Sequence, residues 1–141
     1  MYFDTAYIAK CYLQEVESAM VRELVAQSTP VNTSVLALVE LHCVFHRRMR
    51  EGRLSAQGVR QLAAEFSEHL ENGVWKLLPV PERLLRQTAS LVVAAPADCF
   101  LRSADAIHLT TAHDLGEREI WTTDRHMLAS APLFGLRGRQ L

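Results

Sequence analysis

Four acidic residues stand where an acid is either costly or well placed to meet a ligand. Asp4 follows the apolar run Met1–Phe3, and Asp124 follows Ile120–Thr123, each at the end of a predicted strand. Glu40 lies within Val35–Phe45, a run apolar on nearly every side, which predicts a buried helix carrying a carboxylate. Asp105 falls inside the helical stripe formed by Leu101, Ala104, His108, Ala112 and Leu115. Taken singly, each has an ordinary explanation. An acid just past a strand caps a helix, and a buried carboxylate finds a cation, as Arg102 can for Asp105 at i,i+3. Four acids sharing one cleft would repel each other, raise each other's pKa values and destabilise the fold. A hard divalent cation, Mg²⁺ or Mn²⁺, resolves that repulsion. It takes oxygen ligands, keeps positions for water and substrate, and suits the hydrolysis of phosphate esters.

The elements that must position these acids alternate between strand and helix. Met1–Asp4 reads as a short strand, followed by helical patterning from Ala6 to Gln27 that breaks near Gln14–Glu17. Val31–Thr33 is a second strand, and Ser34 is the expected N-cap of a helix running to Arg50, with Gly52 at its end. Ser55 caps the next predicted helix, which Asn72-Gly73 stops; Trp75–Val80 is a strand, and Pro81 opens a helix to Ala95. A helix from Leu101 to Leu115, a strand Glu119–Thr123 and a final short strand within Leu133–Arg139 complete the chain. Such alternation predicts a mainly parallel sheet covered on both faces, an α/β/α sandwich, and in such sheets ligands bind beyond the carboxyl ends of the strands.

Composition narrows the class. With 49% hydrophobic and 22% charged residues over 141 positions, the chain reads as one globular domain, 1–141, and not as a disordered or collagen-like polymer. The formal charge is −1, yet 13 of the 15 basic residues are Arg, whose planar fork suits phosphate. Once the four acids are set apart, the remainder carries net positive charge. Cys11, Cys43 and Cys99 are widely spaced without a CxxC pair, which suits a reducing cytoplasm; no secretory signal or membrane-length apolar run is visible.

Other motifs carry less. His42 and His46 are four apart but lack a third ligand at zinc spacing, and His108, on the apolar stripe, is expected to be a hydrogen-bonded core histidine. The cluster His46–Arg50 with Arg53 can meet nucleic-acid phosphates or an acidic partner, or simply complement a helix C-terminus. No GxSxG elbow or P-loop is present, and Asp4-Thr5-Ala6 lacks the second acid of a DxD phosphatase.

At its four acids the sequence resembles the PIN-domain family of metal-dependent ribonucleases, in particular its small VapC-type toxins. Leu101–Leu109, containing Asp105, resembles the third acidic motif. Asp4 stands at the first, Glu40 at the second, and Asp124, in Thr122-Thr123-Asp124, at the fourth. The resemblance implies a PIN-like sandwich and a Mg²⁺- or Mn²⁺-dependent endoribonuclease. It also implies a homodimer and an antitoxin that blocks the site. Asp4, Glu40, Asp105 and Asp124 would be the metal-binding and catalytic residues. Thr5, Thr122 and Thr123 would support them, and Arg102 and Arg125 would meet RNA phosphate. A processing nuclease without an antitoxin and a catalytically silent binding module are the alternatives. One departure bears on the second of these: Ala6 stands where the family often has Ser, so Thr5 or Thr122 must supply the missing hydroxyl.

Overall fold

The computed structural model describes residues 1–141. Five short strands form one sheet in the order β3-β2-β1-β4-β5, and every pair is parallel. The strands are β1 (Tyr2–Phe3), β2 (Val31–Ser34), β3 (Trp75–Leu78), β4 (Glu119–Trp121) and β5 (Arg137–Arg139). Central β1 is buried on both faces, which is why its two residues are both large and aromatic.

Strand alternation divides the core. Phe3 and Trp121 point to one face, where α1 (Thr5–Tyr12), α2 (Ser18–Ser28), α3 (Ala37–Arg50) and α4 (Ala56–Glu71) bury Ile8, Val21, Leu41, Phe45 and Phe66. Tyr2 and Ile120 point to the other, where α6 (Ser103–Asp114) and α7 (Arg125–Ser130) supply Ala106, Leu109 and Met127, and α5 (Glu82–Ala94) packs outside α6. The α/β/α sandwich expected from the sequence is therefore observed. No helix is long and apolar enough to cross a membrane.

Several boundaries differ for identifiable reasons. Ser34 is not the N-cap of α3: it is the last residue of β2, in register with Leu78. Its hydroxyl instead accepts from the Leu36 amide at 3.2 Å, turning the chain so that the helix begins at Ala37. β3 ends at Leu78 because Pro79 has no N–H to continue the ladder. β4 ends at Trp121 because the Asp124 amide donates to the Thr122 hydroxyl at 3.0 Å, and α7, which the sequence reading did not anticipate, starts there. Ala131–Phe134 is a 3-10 turn, leaving only Arg137–Arg139 as strand.

The expectation that Val35–Phe45 is buried all round is corrected. Ala37, Leu41 and Phe45 face the core, while Leu38, Val39, His42 and Cys43 are exposed. The helix has one inner stripe, and Glu40 lies at its border. The stripe assigned to α6 is likewise too narrow, since Ala106 and His108–Ala112 are all buried whereas Leu115 is exposed. Thr110 and Thr111 tolerate burial because their hydroxyls donate to the carbonyls of Ala106 and Ile107 at 2.8 and 2.7 Å.

The outer strand is held against α7 by close backbone approach. A Cβ at Gly138 would stand 2.8 Å from Leu128 Cδ2 and 3.0 Å from its Cα. Gly138→Ala should therefore destabilise the chain by about 1–3 kcal/mol, read as a fall of several degrees in Tm; an unchanged Tm would contradict this packing.

Candidate functional site

Asp4 leaves the carboxyl end of β1 and caps α1. One carboxylate oxygen accepts from the Tyr7 amide at 2.8 Å and the other from the Thr122 hydroxyl at 2.5 Å. The side chain sits in a residue only 3% exposed. Burial pushes its pKa up to about 6, against the pull of Thr122, His108 and the Tyr7 amide, while Glu40 adds to the rise.

Glu40 reaches the same cleft from α3. Its Oε2 accepts from Thr5 Oγ1 at 2.6 Å and lies 2.7 Å from His108 Nε2. Burial pushes the Glu40 carboxyl up, but the hydrogen bond and charge of His108, the Thr5 hydroxyl and the charge of Arg102 outweigh it and hold the pKa below the ordinary value. An ionised carboxylate only accepts, so Nε2 carries the proton shared with Glu40. The opposite ring nitrogen, Nδ1, is 2.8 Å from the Tyr2 phenol, whose own pKa burial drives well above its ordinary range; in the neutral ring, that phenol donates to Nδ1. Tyr2, His108 and Glu40 thus form one line from the core to the cleft.

Asp105, in the first turn of α6, and Asp124, the N-cap of α7, face each other across Arg102. Arg102 Nε donates to Asp105 Oδ2 at 2.6 Å, and a second guanidinium nitrogen donates to Asp124 Oδ2. The other oxygen of Asp124 accepts from the amides of His126 and Met127 at 2.7 and 3.1 Å. Burial alone would raise the Asp124 pKa; the two amides and Arg102 hold it below the ordinary value instead.

All four acids line one open cleft of about 370 Å³, together with Thr5, Ala6, Arg47, Arg102 and His108. No three carboxyl groups converge on one point, because each is turned to a partner within the protein, Asp105 and Asp124 to the same Arg102. A larger hollow of about 910 Å³ lies at the amino ends of the strands, beside Met1 and Glu117, away from these acids. The hydroxyls anticipated to replace that of a serine at position 6 are both engaged, Thr5 with Glu40 and Thr122 with Asp4. Thr123 and Arg125 are exposed and do not line the cleft.

Three features escaped the sequence reading. His108 is a buried histidine as expected, but its link to Glu40 joins residues 68 apart, which spacing does not reveal. The pairing of Arg102 with Asp105 was legible at i,i+3, whereas its bond to Asp124 arises only from the fold. Arg47 alone of the basic cluster reaches the cleft; Arg48 is drawn away by Glu15 and Glu51. His42 and His46 lie on the exposed side of α3.

The burial of Asp4 has a measurable consequence. Its proton is held more tightly in the folded chain than in the unfolded one, where the ordinary value is 3.8. The stability it contributes is complete below that value and is lost as pH rises through about 6. Asp4→Asn removes the charge; its Oδ1 can still accept from the Tyr7 amide, and its Nδ2 can donate to the Thr122 hydroxyl in place of accepting from it. In chelator it should exceed the parent by about 2–3 kcal/mol at pH 8 and match it near pH 4; a pH-independent difference in denaturant unfolding would contradict the assignment.

A model of the PIN domain matches residues 1–131. Among solved structures, the chain is similar to the Mycobacterium tuberculosis toxin VapC20, described as a sarcin-ricin loop cleaving toxin. The TM-score is 0.71 at 18% identity, covering 92% of this chain and 93% of that one. At that identity, the likeness speaks for the fold. No curated protein matches the chain. With the family match running over nearly the whole length, a parallel sheet in the expected topology and four acids at its carboxyl edge, this chain belongs to the PIN-domain family, a family of nucleases.

Proposed function

We propose that the chain is a Mg²⁺- or Mn²⁺-dependent endoribonuclease and the toxin of a toxin–antitoxin pair, acting in the cytoplasm. The observation that carries the nuclease reading is the meeting of Asp4, Glu40, Asp105 and Asp124, from four separate segments, in one cleft beyond the strand ends. The donor set fits a hard cation, since all four acids offer carboxylate oxygens, which outnumber the one thiol on the cleft wall, Cys43. Such a cation supplies positive charge against a phosphodiester and a store of ordered water.

The protein's own groups would do the positioning. Thr122 and the Tyr7 amide fix the rotamer of Asp4, and Thr5 and His108 fix that of Glu40. With Asp105 and Asp124 otherwise neutralised, Arg102 would be released from both and, being more than half exposed, could turn to an RNA phosphate beside Arg47. Arg125, one residue past Asp124, would meet the strand outside the cleft. The hydroxyls of Thr5 on Glu40 and Thr122 on Asp4 support the catalytic reading over the silent binding module that Ala6 suggests.

The toxin reading rests on the fold shared with VapC20, and an antitoxin would then act by covering the cleft. A homodimer is supported by the apolar strip of α5, where Leu85, Val92 and Val93 are exposed beside a hollow of about 380 Å³ that also takes in Leu101 and Ile107.

Incubation of single-stranded RNA with the protein and Mg²⁺ or Mn²⁺ should give cleavage. Asp4→Asn, Asp105→Asn and excess chelator should each reduce it to background. Thr122→Val, which removes only the hydroxyl behind Asp4, should cost about 10–100-fold. Full activity in either carboxylate variant, or in chelator, would overturn the reading.

A further inference from the structure

One exposed aromatic beside the cleft has no role in the core. Phe100 is 54% exposed, although its neighbour Leu101 turns inward to pack on the core beneath the sheet. The Phe100 ring lies against His126, with centroids 4.4 Å apart and planes inclined by 41°. His126 in turn is held at the site, because its amide donates to Asp124 at 2.7 Å and its Nε2 lies 3.3 Å from Arg125 Nε. Two residues beyond Phe100, Arg102 bridges Asp105 and Asp124. An apolar ring thus lies against the residue whose amide is tied to Asp124, with Arg125 on the far side of that pair in sequence and Arg102 and Arg47 on the cleft itself.

We propose that Phe100 and His126 form a stacking platform for an unpaired base of the RNA strand that crosses the acidic cleft, with Arg125 and Arg102 meeting the adjoining phosphates. This rests on the ribonuclease reading above and assigns to Phe100 and His126 the task of holding the strand beside the cut bond. The chemistry of the patch favours that occupant. Bases in a duplex keep their faces stacked inside, whereas splayed single-stranded bases stack on Phe and His and place phosphates within reach of Arg. A purely apolar protein partner would leave Arg125 to be desolvated without an anion, since of the two arginines only Arg102 has carboxylate partners.

The test uses fluorescence anisotropy with the full chain and two fluorescein-labelled probes, a short oligouridylate and a blunt RNA duplex of equal length. Ca²⁺ replaces Mg²⁺, and the probes are checked intact on a gel. Phe100→Ala should weaken oligouridylate binding by roughly 5- to 100-fold, leave duplex binding and Tm unchanged, and be restored by Phe100→Trp. Leu115→Ala, another exposed apolar site just past the far end of α6, should have no effect. Three binding results would overturn the platform. They are equal binding of oligouridylate by Phe100→Ala and the parent, an equal loss for both probes, or no binding of oligouridylate by the parent. A change in oligomeric state with RNA binding intact would also overturn it, marking Phe100 as part of a protein interface. If the parent binds the probe yet never cleaves RNA with Mg²⁺ or Mn²⁺, the hydrolytic reading fails while the platform stands.

Discussion

Four carboxylates share one small cleft, and the rest of the site is arranged around the repulsion this creates. The chain answers with a partner for every acid, one of them shared. Asp4 is held by a hydroxyl and an amide, Glu40 by Thr5 and His108, and Asp105 and Asp124 share the guanidinium of Arg102. Where burial is nearly complete, at Asp4, even two hydrogen bonds leave the pKa raised to about 6; where Arg102 and two amides converge, at Asp124, it is lowered. The cleft is electrostatically uneven, with a reluctant anion at its base and firm anions nearer its rim.

The parallel sheet makes this arrangement possible. Every strand runs the same way, so the turns after β1, β2 and β4 open on one edge, and the helices that follow begin there with unpaired amides. Asp4 and Asp124 each use one oxygen to satisfy such amides and keep the second for another partner. Capping a helix and lining a site are therefore compatible for both residues. A carboxylate has two oxygens, and a helix N-terminus favours its negative form.

How far the sequence disclosed this depends on the range of each interaction. Strand-helix alternation, the break between α1 and α2, the Ser55 cap and the position of all four acids are local patterns, and each was legible. The start of α3 was misjudged because Ser34 is claimed by a strand pairing with β3, a contact made across a long crossover. Apolar residues at Leu38, Val39 and Cys43 suggested burial, but composition does not say whether a partner covers the outer face of a helix. Within the site, the identity of the acids was readable, whereas the Tyr2–His108–Glu40 line and the reach of Arg102 to Asp124 join residues far apart in the chain. Such pairings belong to the tertiary structure and leave no periodic trace.

The central claim is that the four acids form one cation site whose present counter-charge is supplied by the protein itself. Calorimetric titration of Mn²⁺ into the metal-free protein tests it most directly. The account predicts saturable binding in the parent, marked weakening in Asp105→Asn, and tighter binding in Arg102→Gln, where the competing guanidinium is gone. Absence of Mn²⁺ binding at millimolar concentration, or equal affinity in the parent and Asp105→Asn, would contradict it.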